Sequence, residues 1–109
     1  MKKLILFFTV SLLFSACTTG QVRMERASLR YGYRLYTLGL YDEAQFHFET
    51  LLKQDAMSDQ ERARILNNLA VIYEMRGEYQ EARETYREAL TLDSNHEIYE
   101  NYKRFTGGL

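Results

Sequence analysis

The sequence predicts an all-α protein, a short solenoid of two helix–turn–helix repeats followed by a closing helix. Apolar residues recur at spacings of three and four, as in Leu66, Leu69, Ala70 and Tyr73, which places them on one face of a helix. The segment GLYDEAQFHFETLL, Gly39 to Leu52, aligns with GEYQEARETYREAL, Gly77 to Leu90. The turn glycine, the tyrosine, the Glu-Ala pair, an aromatic and the last leucine all correspond. Ser58-Asp59-Gln60-Glu61 and Ser94-Asn95-His96-Glu97 each have the form of a helix-starting capping box.

Residues 1–16 read as an export signal. Lys2 and Lys3 precede an apolar stretch from Leu4 to Phe14, then come the small residues Ser15 and Ala16. The stretch is shorter than the roughly 20 apolar residues that a membrane-spanning helix needs. Phe14-Ser15-Ala16-Cys17 resembles a bacterial lipobox, with hydrophobic, small, small and Cys in order. That resemblance implies a signal peptide cleaved before Cys17 and a palmitate-like acyl chain on the Cys17 sulfur. The alternatives for this lone cysteine are an ordinary signal with a cysteine nearby, or pairing between chains. Thr18 stands where an inner-membrane retention signal would have Asp, so in a double-membraned bacterium the expected location is the outer membrane.

Residues 17–22 then form the lipidated cysteine and a short tether. The mature chain has 93 residues, enough for one small domain. Without Lys2 and Lys3 it has 12 basic against 15 acidic residues, which leaves no nucleic-acid-binding footprint.

Residues 23–58 are the diverged first repeat, with helices expected over about 23–38 and 41–54. Residues 59–94 are the second, with helices over about 59–76 and 79–92. The turn glycines Gly39 and Gly77 lie 38 residues apart, which leaves a four-residue insertion between the repeats within Gln54 to Asp59. Gly77 can take the left-handed conformation that ends a helix. Ala82, Tyr86, Ala89 and Leu90 repeat the three-and-four spacing on the fourth helix. Residues 95–109 are a capping helix and tail, the helix over about 95–105 with Ile98, Tyr102 and Phe105 on one face.

The 34-residue unit ARILNNLAVIYEMRGEYQEARETYREALTLDSNH, Ala63 to His96, resembles a tetratricopeptide repeat. Leu66 takes the place of the usual Trp, Leu69-Ala70 the Leu-Gly pair, and Tyr73 the next aromatic. Ala82, Tyr86 and Ala89 take the small, aromatic and small positions, and Ser94 stands for the last proline. In the first repeat Tyr31-Gly32 takes the Leu-Gly pair. Two repeats are fewer than the three that usually bury a continuous core, so self-association or a partner extending the stack is expected.

The resemblance implies a binding groove lined by the first helix of each repeat. Carried over, the groove positions are Arg26, Leu29, Arg30, Tyr33 and Tyr36 from one repeat. The other gives Arg64, Asn67, Asn68, Val71, Glu74 and Met75. Tyr33 and Tyr36 are anchors of a kind enriched in interfaces, and Asn67-Asn68 can hydrogen-bond an extended peptide. The alternative is that Tyr31, Tyr33 and Tyr36 fill the core. Leu29 and Tyr33 stand where a carboxylate clamp needs Lys and Asn, so capture of a terminal carboxylate is not expected. Arg23, Arg26, Arg30 and Arg34 form a basic stripe that faces either anionic lipid head groups or solvent.

Neither His47 nor His96 has a second ligand at metal spacing. The Glu78, Glu81, Glu84 and Glu88 series interleaves with Arg83 and Arg87 as on a solvated helix. No phosphate loop, nucleophile elbow or Cys-His pair occurs. The expectation is a non-enzyme without cofactor or metal: a membrane-anchored adaptor or scaffold lipoprotein for another envelope protein or extended segment. A pilotin-like assembly factor and a self-associating structural subunit are the alternatives.

Overall fold

The computed structural model describes residues 27–107. The chain divides into two compact units, Met1–Tyr31 and Gly32–Leu109. Of the first, residues 27–31 are described, as helix. The signal segment, Cys17, the tether, Arg23 and Arg26 lie outside the described residues.

Among the described residues there are five helices and no strand. Helix α1 covers residues 27–37, α2 Tyr41–Leu52, α3 Asp59–Met75, α4 Tyr79–Leu92 and α5 His96–Gly107. The α1–α2 and α3–α4 turns are built alike. Gly39 and Gly77 have φ of +75° and +76°, a conformation that costs glycine little. The next amide reaches back five residues, Leu40 N to Leu35 O at 3.0 Å and Glu78 N to Tyr73 O at 2.9 Å. Both turns thereby satisfy carbonyls that a helix end leaves unpaired.

Helix α2 stops at Leu52, two residues before its expected end at 54. Lys53 and Gln54 turn tightly, bonding the carbonyls of Thr50 and Leu51. The Arg62 guanidinium takes the carbonyls of Leu52 and Gln54 at 3.3 and 3.4 Å, which fastens the inserted loop to α3. The capping box at Ser58 is present in both directions: Glu61 N donates to Ser58 Oγ, and Ser58 N donates to Glu61 Oε2. The second capping signal resolves differently. Asn95, not Ser94, starts α5, its Oδ1 accepting from Glu97 N at 2.8 Å. Asn is as good a cap as Ser, and Ser94 Oγ instead turns back to Leu90 O.

Helix α3 packs against α2, α4 and α5. That explains why it buries Ala63, Ile65, Leu66, Asn67, Leu69, Ala70 and Ile72, more than one stripe of residues. Ala63, Leu66, Ala89 and Ile98 form one apolar cluster. Ala70, Ala82, Tyr86 and Phe105 form a second, with the Tyr86 ring 5.6 Å from Phe105 and 6.0 Å from Tyr102. In the first repeat Leu35, Ala44 and Phe48 are the buried counterparts. Gly32 is a close-approach position, since a Cβ there would lie 2.4 Å from Phe48 Cζ.

The outer side of α5 is polar. The residues 34 positions after Leu66, Leu69 and Ala70 are Glu100, Lys103 and Arg104, and all three are exposed. Helix α5 thus buries Ile98 and Phe105 inward and presents charge where α3 presents its core residues.

Candidate functional site

Four of the five described helices contribute to one cleft of about 140 Å³. It is lined by Tyr33 and Tyr36 from α1, Phe48 from α2, Asn67, Asn68 and Val71 from α3, and Glu97 and Asn101 from α5. The helical period puts Tyr33 with Tyr36, and Asn67 and Asn68 with Val71, on single faces. The two tyrosine rings lie 6.2 Å apart and tilted, and Tyr36 continues to Tyr41 at 5.8 Å. This is the spacing at which aromatic pairs attract.

Among the described residues Asn67 is the one buried polar side chain, 5 % exposed. Its Oδ1 accepts from Asn101 Nδ2 at 3.1 Å, joining α3 to α5 across the cleft wall. Glu97 sits in the first turn of α5, where a carboxylate is favoured by the helix dipole. The cleft therefore offers amides, aromatic rings and one carboxylate, which is the chemistry of binding. Among the described residues no group of three or more His, Cys, Asp or Glu could hold a metal ion. No described helix is long and apolar enough to cross a membrane.

Beside the cleft, Glu74 is occupied by the core. Tyr86 Oη donates to Glu74 Oε2 at 3.0 Å. Burial first, then the Glu74 charge, raises the Tyr86 phenol above its ordinary 10.0. Tyr73 is raised as well, by burial and by Glu49, to which it donates at 3.3 Å. Arg76 joins Asp42 and Glu78 in an ion-pair group that links the start of α2 to the second turn.

Of the residues assigned to the groove from sequence, the structure brings together Tyr33, Tyr36, Asn67, Asn68 and Val71. Arg64 and Met75 are exposed on α3 but do not line the cleft, and Glu74 bonds Tyr86 instead. Leu29 and Arg30 belong to the first compact unit. Arg30 and Arg34 are exposed. The core alternative does not hold for Tyr31 or Tyr33, which are 55 % and 60 % exposed. Phe48, Glu97 and Asn101 were missed. Phe48 reads only as the aromatic aligned with Tyr86, and it is buried, while Glu97 reads as a cap residue. Asn101 carried a usable signal, because it lies 34 residues after Asn67, one repeat length.

The model of the family described as tetratricopeptide repeat matches residues 29–97, more than half of the chain. No curated protein matches it.

Proposed function

The chain belongs to the tetratricopeptide-repeat family, and from that premise we propose a lipid-anchored adaptor of the bacterial cell envelope. Repeats of this family commonly mediate binding to proteins or peptides and are generally not catalysts. In this reading the acyl chain on Cys17 holds the repeats at the outer membrane. The cleft between α1, α3 and α5 holds an extended segment of another envelope protein. The observation that carries it is the convergence of Tyr33, Tyr36, Asn67, Asn68 and Asn101 on one cleft. A pilotin-like role in pilus or secretion assembly is a special case of the same reading.

Photocrosslinking in cells tests the cleft, with a photoreactive residue at Tyr33 or Asn68 and a control at Arg87. Partner adducts are expected at the first two positions only, and adducts no stronger than the control would remove the proposal. Metabolic labelling with a fatty-acid analogue tests the anchor. Label on the wild type and none on Cys17→Ser is expected, and label kept by the variant refutes it.

A second reading, self-association, draws support from the surface of the first repeat. Leu38, Leu40 and Phe46 are 67 %, 41 % and 71 % exposed, apolar surface that a second copy could cover. Sedimentation of the purified protein distinguishes the two, since a stable monomer disfavours self-assembly.

A further inference from the structure

Two exposed leucines, Leu38 and Leu40, flank Gly39 in the α1–α2 turn. A Cβ built on Gly39 would meet nothing within 4 Å, so the turn faces open space. Its backbone needs little from water. The amides of Leu38, Gly39 and Leu40 donate to the carbonyls of Arg34, Tyr36 and Leu35 at 3.1, 2.9 and 3.0 Å, and Leu40 O accepts from Ala44 N. A turn that satisfies its own polar groups enters an apolar medium at low cost. The matching turn of the second repeat is Arg76-Gly77-Glu78, and it is ion-paired. The backbone plan therefore does not call for the leucines.

The position of the turn in the chain says what it meets. Leu38 follows Cys17 by 21 residues, at most about 70 Å of extended chain. An acyl chain on Cys17 confines the turn to the neighbourhood of a bilayer, where a second contact is intramolecular and needs little affinity of its own. Between the two points the sequence has Arg23, Arg26, Arg30 and Arg34 against one acid, Glu25. That local excess matches an anionic head-group layer. Of the acids after the turn, Asp42 is ion-paired with Arg76. Glu43 is in the first turn of α2, where the helix dipole offsets its charge.

Resting on the lipid-anchored reading, we propose that the Leu38-Gly39-Leu40 turn is a second membrane contact. The two leucines enter the interfacial region of an anionic bilayer. Arg34, exposed one helical turn before Leu38, meets the head groups, and Tyr41 follows at the level where tyrosine is enriched. A single acyl chain binds a bilayer only marginally and reversibly, so stable anchoring takes a second signal. The turn supplies that signal from within the first repeat.

The test uses the full lipidated chain in nanodiscs of phosphatidylcholine with phosphatidylglycerol, part of the lipid carrying bromine on its acyl chains. The chain has no tryptophan, so Leu40→Trp reports from the turn, and Glu84→Trp, at an exposed position of α4, is the control. Bromolipid should quench Leu40→Trp strongly and leave Glu84→Trp near its value in unbrominated discs. Adding Leu38→Asp to the Leu40→Trp chain should lower the ratio of inserted to free turn about tenfold, as loss of one buried apolar side chain predicts. Adding Arg34→Gln instead should lower it about fivefold in these discs and leave it unchanged in pure phosphatidylcholine. Circular dichroism melting confirms that each variant is folded.

Equal quenching of Leu40→Trp and Glu84→Trp, on chains that stay with the discs, overturns the inference and leaves the lipid anchor standing. A wild-type chain that separates from the discs on gel filtration as readily as Cys17→Ser overturns both. Leu40→Trp emission that shifts to the blue without bromolipid quenching, and only with more than one chain per disc, assigns the turn to a second copy. That outcome overturns the inference as well.

Discussion

Where the second repeat places Ala70 in the cluster with Tyr86, the first places Gly32 against Phe48. The positions correspond, each 38 residues from its partner, and both aromatic rings are fully buried. Around them the repeats diverge. Arg76, Glu78 and Glu84 of the second repeat stand where the first has Leu38, Leu40 and Phe46, which are exposed. Tyr86 is further covered by Tyr102 and Phe105 of α5 and bonded to Glu74. Phe48 has a cleft beside it. The same backbone plan thus serves two purposes. The second repeat is enclosed on both sides and holds most of the core, while the first leaves aromatic and apolar surface open.

Removing each ring breaks this comparison most directly. Tyr86→Ala is expected to cost about 4 kcal/mol and Phe48→Ala about 3 kcal/mol, within the range for large-to-small core changes. Urea unfolding followed by circular dichroism measures both. A Phe48 loss larger than the Tyr86 loss would contradict the view that the second repeat dominates stability.

Gly32→Ala comes next. Added helix propensity favours alanine by up to about 1 kcal/mol, but its Cβ would lie within 2.5 Å of two carbons of a fully buried ring. Overpacking of this kind costs about 1–3 kcal/mol, so a net loss near 1 kcal/mol is expected. Phe48→Leu in the same chain should recover part of it. A Gly32→Ala variant more stable than the wild type would show that the helices separate easily there.

Alkaline pH sharpens the contrast further. Tyr73 and Tyr86 have Leu35 and Phe48 as counterparts, so the two phenols that burial and a neighbouring carboxylate raise belong to the second repeat. Both folded values are raised above the ordinary 10.0. Their contribution is complete below pH 10.0 and is lost as pH rises toward the folded values. Urea midpoints should be flat across neutral pH and fall above about pH 10, less steeply in Tyr86→Phe. An identical fall in that variant would assign the loss elsewhere. The smallest effect is expected from giving the first repeat the second repeat's surface. Leu38→Arg and Phe46→Glu should each change stability by no more than about 0.5 kcal/mol, while reducing any self-association seen in sedimentation.

Local signals carried much of the fold. The glycine turns, the Ser58 capping box and the α4 stripe are all short-range patterns, and each lies where periodicity and capping rules place it. Boundaries shifted where nonlocal bonds hold the chain beyond a helix, as where Arg62 takes the last carbonyl of α2 and that of Gln54 in the loop. The cleft was half legible. Tyr33, Tyr36, Asn67, Asn68 and Val71 follow from repeat register, but Glu97 and Asn101 come from a helix that reads only as a cover. Glu74 shows the opposite failure. Its place on the helix suits the groove, yet Tyr86, twelve residues on, claims its carboxylate.

The polar outer side of α5 also bears on how such an array can change its copy number. Each repeat in a stacked protein needs a neighbour with a matching apolar face. A duplicate of the 34-residue unit appended after α5 would dock its helices against Glu100, Lys103 and Arg104. Inserted just before α5, the same duplicate would meet Ala70, Ala82 and Tyr86 on one side and hand an identical surface to Ile98 and Phe105 on the other. Lengthening is therefore tolerated at one internal joint, and α5 travels with the growing end.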